Sequence, residues 1–167
     1  MAWEIPQLEK VNYELWTSSE DHNGAEFKRD FQEVALDLIE RTNFRPRYFI
    51  YDGDAQGCTR PGVTCQSQCI LNDKYCAPDP DGQLSAKISG ADIVKENLRQ
   101  MCIWKVLTDE VIANGGKNNE PLIKWWCYAN KFATDCYGED EVMVSSDKFT
   151  QCAEKTLTAV GISKEKV

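Results

Sequence analysis

The sequence predicts a mixed α/β chain, mostly helical overall, in which a strand–helix–strand unit is followed by a cysteine-rich helical part. Three observations carry this. Apolar and polar side chains alternate over Val11-Asn12-Tyr13-Glu14-Leu15-Trp16-Thr17, the pattern of a half-buried strand. Phe27, Phe31, Val34, Ala35, Leu38 and Ile39 then recur at helical spacing, and Arg47-Tyr48-Phe49-Ile50-Tyr51 is rich in strand formers. From Cys58 onward the strand pattern stops, and three helical stretches follow.

Each element has its local signals. The polar stretch Ser18-Ser19-Glu20-Asp21-His22-Asn23-Gly24 is expected to be a turn, and the first helix is expected to end near Thr42. The second strand is expected between Pro46 and the turn signal Asp52-Gly53-Asp54. A strand–helix–strand unit usually gives a parallel pair. Ser89 can cap a helix with Ile93, Val94, Leu98, Met101 and Cys102 on one face, stopped by Gly115-Gly116. Pro121 suits the first turn of a helix carrying Trp125, Trp126, Tyr128, Phe132 and Cys136. Ser145 or Ser146 starts the last helix, which carries Phe149, Cys152, Ala153, Leu157 and Val160 and stops at Gly161. Linker-like stretches occur near residues 78–88 and 113–120, and because the character of the chain changes at Cys58, residues 1–57 and 58–167 read as two parts of one domain.

Composition excludes several function classes. At 167 residues the chain can bury a core of its own. A net charge of -8 without a Lys/Arg block argues against a nucleic-acid surface, because phosphate neutralisation needs clustered cations. No run approaches the roughly 18 apolar residues of a membrane span. Met1-Ala2-Trp3-Glu4-Ile5-Pro6 has no apolar signal-peptide core, so a piece of a longer protein is expected.

The cysteines are the strongest compositional signal. Their number is eight: Cys58, Cys65, Cys69, Cys76, Cys102, Cys127, Cys136 and Cys152. An even count at this density predicts a fully paired disulfide framework in an oxidising compartment. The chain has no Cys-x-x-Cys and one histidine, His22, so zinc spacing is missing and neither metal nor cofactor is expected. Cys65 and Cys69 stand four apart, and on a helix they would share one face and staple it to different partners. Spacing alone leaves the connectivity open.

Other candidate groups read as structural. A thiol redox site would need a cysteine where the first helix starts, and residues 18–25 contain none. His22 reads as a solvated loop side chain. Asp52-Gly53-Asp54, Asp79-Pro80-Asp81-Gly82 and Glu139-Asp140-Glu141 carry carboxylates without EF-hand spacing, and read as turns and a solvated face. Trp104, Trp125, Trp126 and Tyr128 could line a peptide groove, but core packing is the expectation. Because neighbours on a helix diverge by about 100°, one of Trp125 and Trp126 is expected to be partly exposed.

The segment Cys65-Gln66-Ser67-Gln68-Cys69-Ile70, with Lys74-Tyr75-Cys76-Ala77-Pro78-Asp79-Pro80, resembles the central luminal region of plant vacuolar sorting receptors. The resemblance extends back through Tyr13-Glu14-Leu15-Trp16-Thr17. It extends forward through Val94-Lys95-Glu96-Asn97-Leu98-Arg99-Gln100, Cys102, Trp125-Trp126, Cys136, Cys152 and Gly161-Ile162. It implies an incomplete thioredoxin-like β-α-β unit followed by a disulfide-rich helical insertion, lying between a protease-associated domain and EGF-like repeats. It implies a luminal, non-enzymatic module whose partners are polypeptide cargo or neighbouring receptor domains, in the secretory or endomembrane lumen or outside the cell. Three departures from the family stand out. The family's cysteine-containing motif is missing from residues 19–25, Cys127 stands where the family has Asp and can form a bridge of its own, and the chain stops at Val167 before the strand pair that completes such a sheet. The competing readings are a divergent thiol-disulfide oxidoreductase using a pair among Cys65, Cys69 and Cys76, and a secreted disulfide-rich structural protein.

Overall fold

A computed structural model describes residues 10–63, 65–80, 87–116, 118–137 and 145–167. Strand β1, Val11–Thr17, pairs in parallel with β2, Thr42–Tyr48, with Val11 opposite Thr42 and Thr17 opposite Tyr48. Helix α1, His22–Asp37, connects them. It begins inside the stretch expected to be a turn, with Asp21 at its N-cap, and a 3-10 turn at Ile39–Arg41 follows it.

Strand β2 begins earlier than expected and runs through Pro46. The reason lies in its edge. The Phe49 N–H donates to the Thr17 carbonyl at 2.9 Å, so by the two-residue period the N–H groups of Arg47, Arg45 and Asn43 also point toward β1. Pro46 therefore stands where the absent N–H would face away from β1, a position that costs the pair no hydrogen bond.

Beyond β2 lies a compact cysteine-rich loop. It holds β3, Tyr51–Asp52, the one-turn helix α2, Gly53–Gln56, and the strands β4, Cys69–Ile70, and β5, Tyr75–Cys76. β5 lies between β3 and β4, antiparallel to both. This corrects the expectation that strands end before Cys58; two-residue strands are too short to show a period in the sequence. Asp52 spends its carboxylate as the N-cap of α2, accepting from the Asp54 N–H at 2.9 Å. Gly53 is required by close approach: a Cβ there would lie 1.8 Å from the Asp73 carbonyl oxygen.

Three longer helices complete the chain. Helix α3, Gly90–Ala113, starts with a capping box in which Ser89 and Asp92 exchange hydrogen bonds, and Gly115, at φ +64°, follows its C-cap Asn114. Helix α4, Glu120–Asp135, has Pro121 in its first turn, and α5, Ser146–Ala159, is capped by Ser145 and followed by Gly161 at φ +69°. The core sits between the sheet and α4. Phe44 of β2 stands 4.9 Å from Tyr13, 4.9 Å from Trp125 and 5.3 Å from Trp126, ring centre to ring centre. Trp125 and Trp126 are both fully buried, against the expectation for one of them, because α4 packs against α1, α3 and α5 and its diverging faces all meet protein. The expected stripe on α1 is also corrected: Ala25, Lys28 and Ala35 are its buried residues, while Phe27, Val34 and Leu38 remain exposed.

The structure joins six cysteines in three bridges, Cys58–Cys65, Cys69–Cys76 and Cys136–Cys152. Cys102 and Cys127 are free thiols, where full pairing of all eight was expected. Cys102 lies on the outer face of α3 and Cys127 beside Gln32 of α1, so no partner sulfur faces either. Cys65 and Cys69 do not staple helices, because the residues between them form a 3-10 turn and both bridges close within the loop. The bridge that links helices is Cys136–Cys152, from the C-cap of α4 to α5. Among the described residues no helix is long and apolar enough to cross a membrane.

Candidate functional site

The turn from β1 into α1 is where a thioredoxin-type fold would keep a reactive sulfur. Here it is filled by hydrogen bonds. Helix α3 presents Glu96, Asn97 and Gln100 toward the interior, and all three are essentially inaccessible to solvent. Asn97 accepts from the Ser19 backbone N–H at 2.8 Å, and its amide donates to the Ser18 hydroxyl at 2.9 Å and to the Phe49 carbonyl at 3.2 Å. One side chain thereby ties the end of β1, the end of β2 and α3 together. Ser19 also donates to the Ile93 carbonyl at 3.4 Å.

Two charges under this turn are buried, Glu96 with three hydrogen-bond donors and Lys28 with one acceptor. Glu96 accepts from Gln100 at 2.9 Å, from the Tyr128 hydroxyl at 3.0 Å and from Arg99. Burial pushes its carboxyl above the usual range, against the pull of Arg99. Lys28, 2% exposed, donates to the Ser18 carbonyl at 3.4 Å. Burial lowers its ammonium to about 8, opposed by Asp21, Glu20 and Glu96. A second knot joins the helix starts: Asp92 accepts from Ser89 and, at 2.5 Å, from Ser146 of α5. Burial raises the Asp92 carboxyl, but the hydrogen bonds from Ser146, Ser89 and Lys95 outweigh it and leave it below its ordinary value.

The candidate groups fall into place around this turn. His22 sits on the first turn of α1, mostly exposed, with Glu26 at 3.5 Å. Asp81-Gly82 and Glu139-Asp140-Glu141 lie outside the described residues. The sulfurs of Cys58, Cys69 and Cys76 lie within 4.8 Å of one another, but each is bridged, and a metal would need thiolates. Trp125, Trp126 and Tyr128 are core; Trp104 is partly buried and edges against Phe44 at 5.4 Å.

A groove that sequence reasoning missed runs between β2 and the outer face of α3. One cavity of about 430 Å³ is lined by Arg45, Pro46 and Arg47 from β2 and by Leu98, Met101 and Lys105 from α3. A second, of about 210 Å³, adjoins it through the shared residues Trp104 and Thr108 and reaches Lys10 and Asn119. The signal was present in the sequence as Leu98, Met101 and Cys102, placed there on one helix face with Ile93 and Val94. In the structure Leu98 and Met101 are 37% and 42% exposed, and the buried face of α3 is instead Ile93, Val94, Asn97, Gln100 and Ile103.

Comparison with known proteins places this chain in a family. The model of the vacuolar sorting receptor thioredoxin-like domain matches residues 11–167. The chain is 35% identical over 170 residues to vacuolar-sorting receptor 4 of Arabidopsis thaliana and 34% identical over 169 residues to vacuolar-sorting receptor 3 of the same plant. It is 33% identical over 169 residues to vacuolar-sorting receptor 1 of Pisum sativum. Each match covers 95% of this chain and 24% of the relative, so the chain spans about a quarter of the length of these proteins. No solved structure matches it.

Proposed function

The chain belongs to the vacuolar sorting receptor family through its thioredoxin-like domain, and on that premise we propose that it is a non-enzymatic luminal module of such a receptor, contributing to recognition or sorting of soluble vacuolar cargo. The observation that carries the non-enzymatic part is the β1–α1 turn. Thiol-disulfide exchange needs an accessible thiolate at the helix start, and here Ser18 and Ser19 occupy that place with their polar groups bound to Asn97, Glu20 and Ile93. The residues before and after position 57 act as one domain in this reading, because Ala35 and Phe44 share a core with Ile93 and Trp125. The partners are polypeptide cargo or neighbouring receptor domains, and the compartment is the endomembrane lumen, where the three bridges are stable.

Pull-down of vacuolar-type propeptides by the whole luminal protein containing this chain tests the sorting role. Retention of at least one propeptide is the expected result, and failure with all of them removes the cargo role. Insulin reduction by the same protein tests the other half. Turnover that disappears on Cys69→Ser would replace the receptor reading with the oxidoreductase one.

A further inference from the structure

We propose that the groove between β2 and α3 binds an extended, acidic polypeptide segment, with Leu98, Met101 and Trp104 receiving its apolar side chains and Arg45, Arg47 and Lys105 its carboxylates. This rests on the receptor reading and assigns it a site. The first support is shape and chemistry: two adjoining cavities form a trough along the strand, and exposed apolar side chains line its α3 wall. Contiguous apolar surface with a polar rim marks interaction sites.

Charge selects the occupant. The chain carries a net charge of -8, yet the charged residues lining the two cavities are Lys10, Arg45, Arg47 and Lys105 against one carboxylate, Asp109. The groove is a cationic strip on an acidic molecule, so an acidic segment is attracted there and repelled elsewhere. Two of these cations hold exposed ion pairs, Arg47 with Glu14 at 2.8 Å and Lys105 with Asp109 at 2.6 Å. Exposed pairs are worth little and exchange readily for a ligand carboxylate.

Backbone geometry determines how much of the recognition falls to side chains. The outer edge of β2 offers no strand partner among the described residues, but Pro46 removes the N–H at its middle. An edge broken by proline resists full strand addition, so ladder hydrogen bonds cannot supply the affinity alone.

The test uses the 167-residue chain and three fluorescein-labelled peptides of equal length, with Leu at alternate positions and Glu, Lys or Ser between. Anisotropy titration should show the Leu/Glu peptide binding at least tenfold more tightly than the Leu/Lys and Leu/Ser peptides. Met101→Glu and the pair Arg45→Glu with Lys105→Glu should each weaken it at least tenfold while leaving the thermal transition in place, since all three side chains are exposed. Equal binding of the three peptides, no binding of any, or unchanged binding to both variants overturns the proposal. Met101→Glu in the whole luminal protein separates the two readings. Propeptide capture that survives it keeps the sorting role and discards the groove.

Discussion

Lys28 offers the sharpest test of the buried polar network, because its ammonium is held at about 8 against an ordinary 10.5. The folded state thus gives up this proton more readily than the unfolded chain. Between pH 8 and 10.5 the unfolded state binds more protons, so stability rises with pH through that window, and below pH 8 the full cost of burying the charge is present. At 1.36 kcal/mol per pKa unit that cost is about 3 kcal/mol at neutral pH. Integrating from pH 7 to 9.5 recovers about 2 kcal/mol of it. Lys28→Met keeps the length of the side chain and removes the charge, at the loss of one hydrogen bond to Ser18 worth about 1 kcal/mol. Urea unfolding at 25 °C, at half-unit steps over this range, measures both proteins, each carrying Cys102→Ser and Cys127→Ser so that thiolates do not scramble the bridges. The stability advantage of Lys28→Met should shrink by about 2 kcal/mol between pH 7 and 9.5. Groups common to both proteins, including the tyrosines, cancel in the difference. A difference constant to within about 0.5 kcal/mol would mean that Lys28 is solvated in the folded protein, and the network as described would be wrong.

Three further outcomes follow from the same contacts. Replacing Cys136 and Cys152 together by Ala frees the loop between α4 and α5 and should cost about 3 kcal/mol, read as a lower urea midpoint. Iodoacetamide labelling of unreduced protein, followed by mass spectrometry, should give one rapid adduct at Cys102 in the native state and a second at Cys127 on unfolding. Labelling of any other cysteine would contradict the bridge map. Asn97→Leu strips the Ser19 N–H of its partner and the Ser18 hydroxyl and Phe49 carbonyl of a donor, and should destabilise by about 2 to 4 kcal/mol, with faster hydrogen exchange at Ser19. A loss below about 1 kcal/mol would show that the turn is held by packing alone.

How far the fold was legible depended on the range of the forces involved. Strand β1 was readable because alternation and pairing agree residue by residue, and the caps at Ser89, Pro121 and Ser145 were readable because capping is local. The start of β2 was not, since whether a proline is tolerated depends on which edge its nitrogen faces, a tertiary fact. The bridge map was beyond reach for the same reason: Cys58–Cys65 and Cys69–Cys76 are set by the packing of a loop with strands of two residues. On α3 the apolar spacing grouped Leu98 and Met101 with Ile93 and Val94, because Glu96, Asn97 and Gln100 look like surface residues until their partners in the β1–α1 turn, on β2 and on α4 are known. The misplaced stripe is what exposes the groove.

The polar interior and the proposed receptor role share one physical cause. A redox turn of the thioredoxin type needs a helix start that is open to solvent and strained toward a thiolate. In this chain the same helix start is closed by Asn97, underlaid by Lys28 and Glu96, and backed by Tyr128 and Gln100. A buried hydrogen-bonded network stiffens the elements it joins, since any displacement of β1 against α3 would leave several polar groups unpaired at once. That stiffness is transmitted to β2: the Phe49 carbonyl just beyond its end accepts from Asn97, and its Tyr48 hydroxyl donates to Gln100 at 2.5 Å. β2 and α3 are the two walls of the groove. The network that fills the turn therefore fixes the spacing of the walls, and the proposed binding surface, with its walls fixed, would lose less entropy on taking up a segment.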